Sequence, residues 1–470
     1  MSRKLLDYGV EMRGIHPVPL EERTDSNCSR LFFIWSALGV SILPFSTGAM
    51  GPLAFGLNAR DSCLVILFFN LITSIPPAYI GTWGPKLGLR QMVHARYSFG
   101  YYGAIIPALL NALTLVGFAI LSVILAGQTL ASARDDGNLS RSVGIVIISF
   151  ISFLLSLFGY KFISWFGRVM SFHMCITLII AFAIGGKQLE DPLINPPATA
   201  SAILSFGSAV AGFTLSLATL SMDYSFCMRP EISSWRIFLF KFMGIFFPVA
   251  AFMFLGAILS AASLANAEWQ AGYVNGNVGG MLAAVLRPAG DFGKVLVVML
   301  SLSLTNGVTA CLYSTSLSFQ TFLPILSRVP RVVFSGVMIA IVVPLGILAS
   351  SKFQETLTNF LALIASWVAV FASIIIVEHL IFRRSFSAYD ISHWDSPRRL
   401  PSGLSALAAG AVGIGLSVPC INQVWYVGSI AEHSGDIGWE VAFVASALVY
   451  VPLRVVERRW FLGRSGLEAD

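Results

Sequence analysis

The chain has 470 residues, of which 56% are hydrophobic and 11% charged, with a mean hydropathy of +0.78. Soluble domains carry roughly 25% charged residues, so this composition excludes a soluble enzyme and points to a polytopic membrane protein. The net charge of +6 is no nucleic-acid footprint, because the basic residues gather in the loops of one side, as the chain order shows.

Residues 1–30 are polar and charged, which argues against a cleavable signal peptide and for a cytoplasmic tail. The first apolar stretch, Leu31 to Leu57, exceeds the roughly 20 residues that cross a bilayer. Pro44, Gly48, Gly51 and Pro52 interrupt it, with Ser46 and Thr47 between them. Proline removes a backbone donor and glycine loosens a helix. In lipid the freed backbone groups need partners, so such a break survives only against protein, water or a ligand. A second interrupted stretch, 202–222, carries Gly207 and Gly212. Paired interruptions in two halves of a chain are a pointer to a transporter's binding site.

Further apolar stretches fall at about 62–82, 104–130, 143–158, 169–186, 242–262, 295–319, 332–348, 357–377, 404–420 and 439–453, giving twelve spans in all. With the N-terminus inside, only Arg60, Arg134, Arg141, Lys187, Arg287, Lys294 and Lys352 of the 30 basic residues lie outside. The positive-inside rule then sets both termini in the cytoplasm. The expected architecture is an all-α membrane protein of twelve transmembrane helices, a 5+5 inverted repeat plus two extra helices. Its parts are a tail (1–30), a first five-helix repeat (31–200), a second inverted repeat (201–382), a cytoplasmic loop (383–402), helices 11 and 12 (403–455) and a C-terminal tail (456–470). The interrupted spans open the two repeats, the inverted-repeat plan in which the site sits near the midplane. Between spans seven and eight, Gly272 to Gly280 and the apolar Met281 to Leu286 suggest a short helix, a candidate lid. Asn138-Leu139-Ser140 is a glycosylation sequon in an outside loop.

The chemistry of the spans is neutral. Nearly all 24 acidic residues map to loops or tails, which argues against a cationic substrate, since intramembrane carboxylates mark cation and proton paths. Six scattered cysteines, with no CxxC, give neither a zinc site nor a disulfide framework. Nucleotide-binding and hydrolase motifs are absent, so no enzyme is expected. Asn111, Thr114, Phe118 and Ser122 share one helical face, as do Asn306, Thr309, Tyr313, Ser316 and Gln320; Ser303, Gly307, Cys311, Ser314 and Ser318 form a neighbouring stripe. Each such residue could instead be glue between helices. Together with the interruptions they suggest a polar pocket between spans one, three, six and eight, with Phe45, Phe118 and Phe213 as flat walls for a planar ring.

At these residues the chain resembles the nucleobase–cation symporter family, in its fungal purine–cytosine permease branch. The matching runs include ILPFSTGAMGPLAFGL (42–57), PPAYIGTWGPKLGLRQMVHARYSFGYYGAIIPALLN (76–111), AGQTLAS (126–132), GYKFISWFGR (159–168), AGFTLSLATLSMDYS (211–225) and LYSTSLSFQ (312–320). The resemblance implies a leucine-transporter-type fold and uptake of cytosine, adenine, guanine or hypoxanthine at the plasma membrane. It implies no cofactor, H+ as the coupling ion with Na+ as the alternative, and a small-molecule substrate and the lipid bilayer as partners. The substrate-binding set it suggests is Pro44, Phe45, Ser46, Phe118, Ser122, Phe213, Leu217, Asn306, Gly307 and Cys311, with Gly48, Gly51, Gly207 and Gly212 as helix breaks.

Several of these positions depart from the family pattern. Pro44 replaces a Ser, Phe118 and Ser122 replace a Trp and an Asn, and Leu217 replaces the stacking Trp. Ala310 and Cys311 replace a Pro-Asn pair, Gly307 an Asn and Gly167 a Glu. The changes remove stacking area and base-pairing amides, and sites that lose such pairing lose orders of magnitude in binding. An alternative substrate on the same scaffold is therefore a vitamin-like ring or specialised metabolite. A non-transporting receptor is a third reading, disfavoured by the short tails.

Overall fold

The computed structural model describes residues 15–134, 139–157, 160–186, 197–322 and 331–465; Asn138 of the sequon lies outside them. It is built of helices. In chain order they are α1 (Cys28–Gly39), α2 (Ile42–Phe55), α3 (Ala59–Thr73), α4 (Ile105–Ala131), α5 (Arg141–Leu157), α6 (Tyr160–Gly185), α7 (Ala200–Leu215), α8 (Ser234–Ser263), α9 (Ala267–Leu286), α10 (Gly290–Phe322), α11 (Arg331–Ala349), α12 (Phe353–Val377), α13 (Leu404–Ser417) and α14 (Gly438–Ser465). Short helical turns carry α3 on to Leu87. Among the described residues, eight helical stretches are long and apolar enough to cross a membrane, or nine with α1 and α2 taken together. Two of the eight, Ala267–Ser316 and Val332–Arg383, each contain more than one of these helices, while α5 and Leu404–Cys420 are apolar but shorter.

Polar side chains start the helices where the sequence supplies them. Asn27, Asn58, Thr199 and Asn266 each accept a hydrogen bond from a first-turn backbone N–H, covering donors that have no partner within the helix. Gly56, with φ of 65°, closes α2 in the left-handed region, which glycine enters without steric penalty.

The helices pack in two groups. In one, α8 lies against α1 and α2, while α7 contacts α2 and α3; in the other, α4 packs along α10 and against α5 and α11. Helix α12 touches α7, α4 and α14, and α13 pairs with α14. A buried hydrogen bond from the Thr214 hydroxyl to the Asn70 side-chain amide oxygen Oδ1 ties α7 to α3.

The breaks differ from the sequence expectation. Helices α1 and α2 meet at 55°, with Val40 (ψ 81°) and Ser41 (φ −154°, ψ 169°) between them. Pro44 is the third residue of α2, where its missing N–H has no intrahelical acceptor in any case. It begins the second helix rather than ending the first. In the other interrupted span the helix tightens to 3₁₀ over Ser216–Leu220, after Leu215.

Gly48, Gly51, Gly207 and Gly212 therefore lie inside helices and not at breaks. A Cβ would overlap the Met253 carbonyl at Gly48, the Ser62 side chain at Gly51, the Phe69 ring at Gly207 and the Leu361 carbonyl at Gly212. They are points of close helix approach, the usual role of small residues in membrane bundles.

Gly48→Ala is expected to lower the thermal unfolding temperature in detergent, because a methyl forced against the α8 backbone costs about 1–3 kcal/mol of overpacking. An unchanged transition would show that α2 and α8 separate freely.

Candidate substrate-binding site

The two breaks face one cavity of about 110 Å³. Its walls are Val40, Ser41 and Leu43 at the first break, Phe213, Ser216, Leu217 and Thr219 at the second, and parts of α4, α6 and α10. A cavity of roughly 150 Å³ takes one benzene ring, so the space is of single-ring size.

Of the expected site residues, Phe118, Ser122, Phe213, Leu217, Asn306, Gly307 and Cys311 line this cavity. Pro44, Phe45 and Ser46 do not: they belong to the first turns of α2 and are buried, and a Cβ at Gly256 of α8 would overlap the Phe45 carbonyl. Asn111 is buried outside the lining, Thr309 donates to Thr305 O (2.7 Å) and lies 3.3 Å from Ser152 O, on the side of α5. The stripe that lines the cavity from α10 is Ser303, Gly307, Cys311 and Ser314, joined by Asn306 and Ala310.

Sequence reading missed Ser41, Met170, Ser171, Ser216, Thr219, Leu220 and Tyr224, all of which line the cavity. The signal for Ser41 was present: a serine directly ahead of an apolar run marks a helix start. Nothing in the α6 sequence singled out Met170 or Ser171.

Among the described residues, no charged side chain lines this cavity. The hydroxyls of Ser171, Ser216, Thr219 and Ser303 donate to the carbonyls of Gly167, Phe213, Ser216 and Leu300, at 2.8, 2.6, 2.9 and 2.7 Å. Each hydroxyl proton is thus engaged within its own helix, and the oxygen's remaining lone pairs are acceptors. Trp367 Nε1 donates to Thr114 Oγ1 at 3.1 Å. The N-terminal end of α2 has no side-chain cap and supplies the partial positive charge of a helix start. A neutral ring with N–H donors and at least one acceptor edge matches this lining. Phe118 and Phe213 meet edge to face with centroids 6.0 Å apart, presenting ring surface to such a ligand.

A second space of about 530 Å³ adjoins the first and shares Ala37, Leu38, Tyr224, Asn306 and Ala310 with it. It reaches Asn27, Ser29 and Arg30 at the start of α1, and Arg168. Gly167 lies on its wall against Asn306, where any side chain would crowd the amide. Tyr224 stands at the junction, in edge contact with Trp35 at 5.3 Å. Lys241 Nζ lies 4.3 Å from the Trp35 ring and donates to Ser221 O at 2.7 Å. One buried cation thereby links α1 to the turn that follows α7.

Farther along α4 lies α9, which kinks at Gly276 and Asn277. Asn277 Nδ2 donates to Gln128 Oε1 and Gln128 Nε2 to Ser350 O, both at 2.9 Å. This is the segment expected to act as a lid, and it joins α4 to the turn before α12.

Known proteins place this geometry. Residues 17–442 match the family model described as permease for cytosine/purines, uracil, thiamine, allantoin. The purine-cytosine permease FcyB of Emericella nidulans is 32% identical over 98% of this chain and 91% of its own length. The purine-cytosine permease FCY22 of Saccharomyces cerevisiae is 34% identical over 96% of this chain and 87% of its own. The inward-facing structure of Mhp1 superposes with a TM-score of 0.73 at 18% identity, covering 96% of this chain and 95% of that one; Mhp1 is described as a nucleobase-cation-symport-1 family transporter.

A Cβ at Gly307 meets nothing within 4 Å, so Gly307→Leu is expected to fill the cavity without straining the bundle. Uptake of the transported solute should collapse while the unfolding temperature stays at the wild-type value, in contrast to Gly48→Ala. A matching loss of stability would place Gly307 in a helix contact.

Proposed function

We propose that this chain, which belongs to the family of permeases for cytosine/purines, uracil, thiamine and allantoin, carries a purine or pyrimidine base across the membrane as a secondary transporter. It is a transporter and not an enzyme. The observation that carries the substrate reading is the cavity at the meeting of two broken helices, which suits one ring of a base, the second ring of a purine reaching toward the adjoining larger space. Its hydroxyl oxygens suit the N–H groups of a neutral base, and Asn306 offers both a donor and an acceptor. The proposed contacts are Phe118 and Phe213 against the ring, with Ser122, Leu217, Asn306, Gly307 and Cys311 setting its edges. Pro44, Phe45 and Ser46 build the helix that positions Ser41.

The twelve-span, 5+5 arrangement is supported by the packing groups. The first two helices of each proposed repeat lie in one group and the third and fourth in the other. Loops rich in arginine on the face of Arg30, Arg168 and Arg383 support a cytoplasmic placement of that face and of both termini. The larger space then opens to the cytoplasm and α9 covers the outside. The purine-cytosine permeases among the relatives support a plasma-membrane location, and the resemblance read from the sequence supports H+ as the coupling ion, with Na+ as the competing choice.

A second reading, a vitamin-like ring on the same scaffold, is favoured by Leu115, Met170, Leu217 and Leu220 in the lining. Apolar groups there reward a less polar heterocycle, and the family description itself includes thiamine.

The test is accumulation of radiolabelled cytosine, adenine and hypoxanthine in cells lacking their own purine–cytosine permeases, with and without a protonophore. Protonophore-sensitive accumulation is expected. No accumulation by protein shown to be at the surface would reject the base; accumulation that follows Na+ and ignores the protonophore would reject H+.

A further inference from the structure

A third space, of about 300 Å³, lies far from the transport path, where the end of α12 meets α14. It is lined by Arg383, Arg399, Arg454 and Arg458 together with Glu378 and Glu457. The two carboxylates are already fully engaged. Glu378, 1% exposed, accepts from Arg454 Nε and Nη2 at 2.9 and 2.8 Å, from Tyr450 Oη at 2.9 Å and from Arg383 Nε at 3.1 Å. Glu457 accepts from Arg454 Nη1 at 2.9 Å, from Gly403 N at 2.8 Å and from the Ser402 and Ser405 hydroxyls.

Arg454 thus has every guanidinium nitrogen committed, while among the described residues neither Arg399 nor Arg458 forms an ion pair with the two carboxylates of the wall. Arg399 Nη1 pairs with His393 Nε2 at 2.9 Å and attracts the exposed Asp390 carboxylate outside the lining, and Arg458 Nη1 reaches the Phe382 carbonyl at 3.5 Å with its guanidinium 5.8 Å from that ring. Four guanidinium groups against two saturated carboxylates leave an excess of two positive charges on the wall of one cavity. A phosphate is the natural complement, since guanidinium forks match its oxygens with paired charge-assisted hydrogen bonds.

The surroundings say which phosphate. Leu380 and Ile381 on the turn after α12, and Val455 and Val456 on α14, are exposed at 55, 42, 38 and 65%. Leu380 and Ile381 lie between the cavity's Glu378 and Arg383 in sequence, and Val455 and Val456 between its Arg454 and Glu457, so exposed apolar surface flanks the charged pocket. Basic pockets between membrane helices on the cytoplasmic side take anionic lipid headgroups. We propose that this cavity seats the phosphate of an anionic phospholipid, with Arg399 and Arg458 on the phosphate and the acyl chains along Leu380, Ile381, Val455 and Val456. A lipid held there braces α12 against the loop at 383–402 and against α14.

The full chain, purified in detergent, is titrated with phosphatidylserine, with phosphatidylcholine and with inorganic phosphate, reading bound lipid by native mass spectrometry and the unfolding temperature in parallel. Phosphatidylserine is expected to bind more tightly than phosphatidylcholine and to raise the unfolding temperature, while inorganic phosphate does neither. Arg399→Gln with Arg458→Gln should weaken phosphatidylserine binding by about thirtyfold, from roughly one charge's worth of attraction at each arginine. The Arg399→Lys, Arg458→Lys pair controls for folding and should keep most of the preference. Equal binding of the two lipids by the wild type, or a preference untouched by the Gln pair, overturns the proposal. Stabilisation by inorganic phosphate as large as that by phosphatidylserine overturns the lipid assignment.

Discussion

A backbone that leaves the helix inside a bilayer must find partners for its freed N–H and C=O groups, and the rest of this structure depends on that constraint. It is met at Val40–Ser41 and over Ser216–Leu220, where the chain faces a cavity and not lipid. The cavity exists because two helices stop short of it, and it stays open because the helices around it are held elsewhere. The glycines do the holding. Gly48 against Met253, Gly212 against Leu361 and Gly256 against Phe45 bring backbones into contact, so α2 and α7 are fixed beside the breaks and only the breaks are free to answer a ligand.

Charge is arranged by the same logic. Among the described residues no charged side chain lines the cavity, and the buried basic residues sit away from it, against backbone carbonyls. Lys241 holds Ser221 O, and Arg23 donates to Val18, Pro85 and Leu87 oxygens at 2.9, 3.1 and 3.1 Å. Both close the C-terminal ends of helical turns, where carbonyls lack partners and a positive charge is favoured. Because Lys241 also lies over Trp35, whose ring edge meets Tyr224, the same cation tethers the narrow place between the cavity and the larger space. On the proposed path, a solute passing from one to the other moves past this small assembly of α1 and the turn after α7.

Much of this was legible in the amino-acid order. Long apolar runs marked the helices closely, because lipid imposes length and composition on a span. The serine stripe of α10 and the Phe118–Ser122 face were legible because a 3.6-residue period survives in any environment. The position of the breaks was not. Pro44 looked like an interruption and is the first turn of the second helix, and the glycines that looked like interruptions are contacts whose reason lies on α3, α8 and α12. The tightening at Ser216 carries neither glycine nor proline, so local sequence gave no mark of it. Tyr224 and Met170 join the cavity only through the tertiary arrangement.

The central claim is that the ring-sized space between the breaks is where the solute binds. Cys311 lines it, and replacing Cys28, Cys63, Cys175, Cys227 and Cys420 by alanine leaves it as the single thiol. The measurement is the rate of Cys311 modification by a small methanethiosulfonate reagent, with and without a saturating base that the cells accumulate. The account predicts that the base slows modification and that modified protein stops transporting. A rate unchanged by a solute that the protein demonstrably carries, with uptake intact after modification, would contradict it.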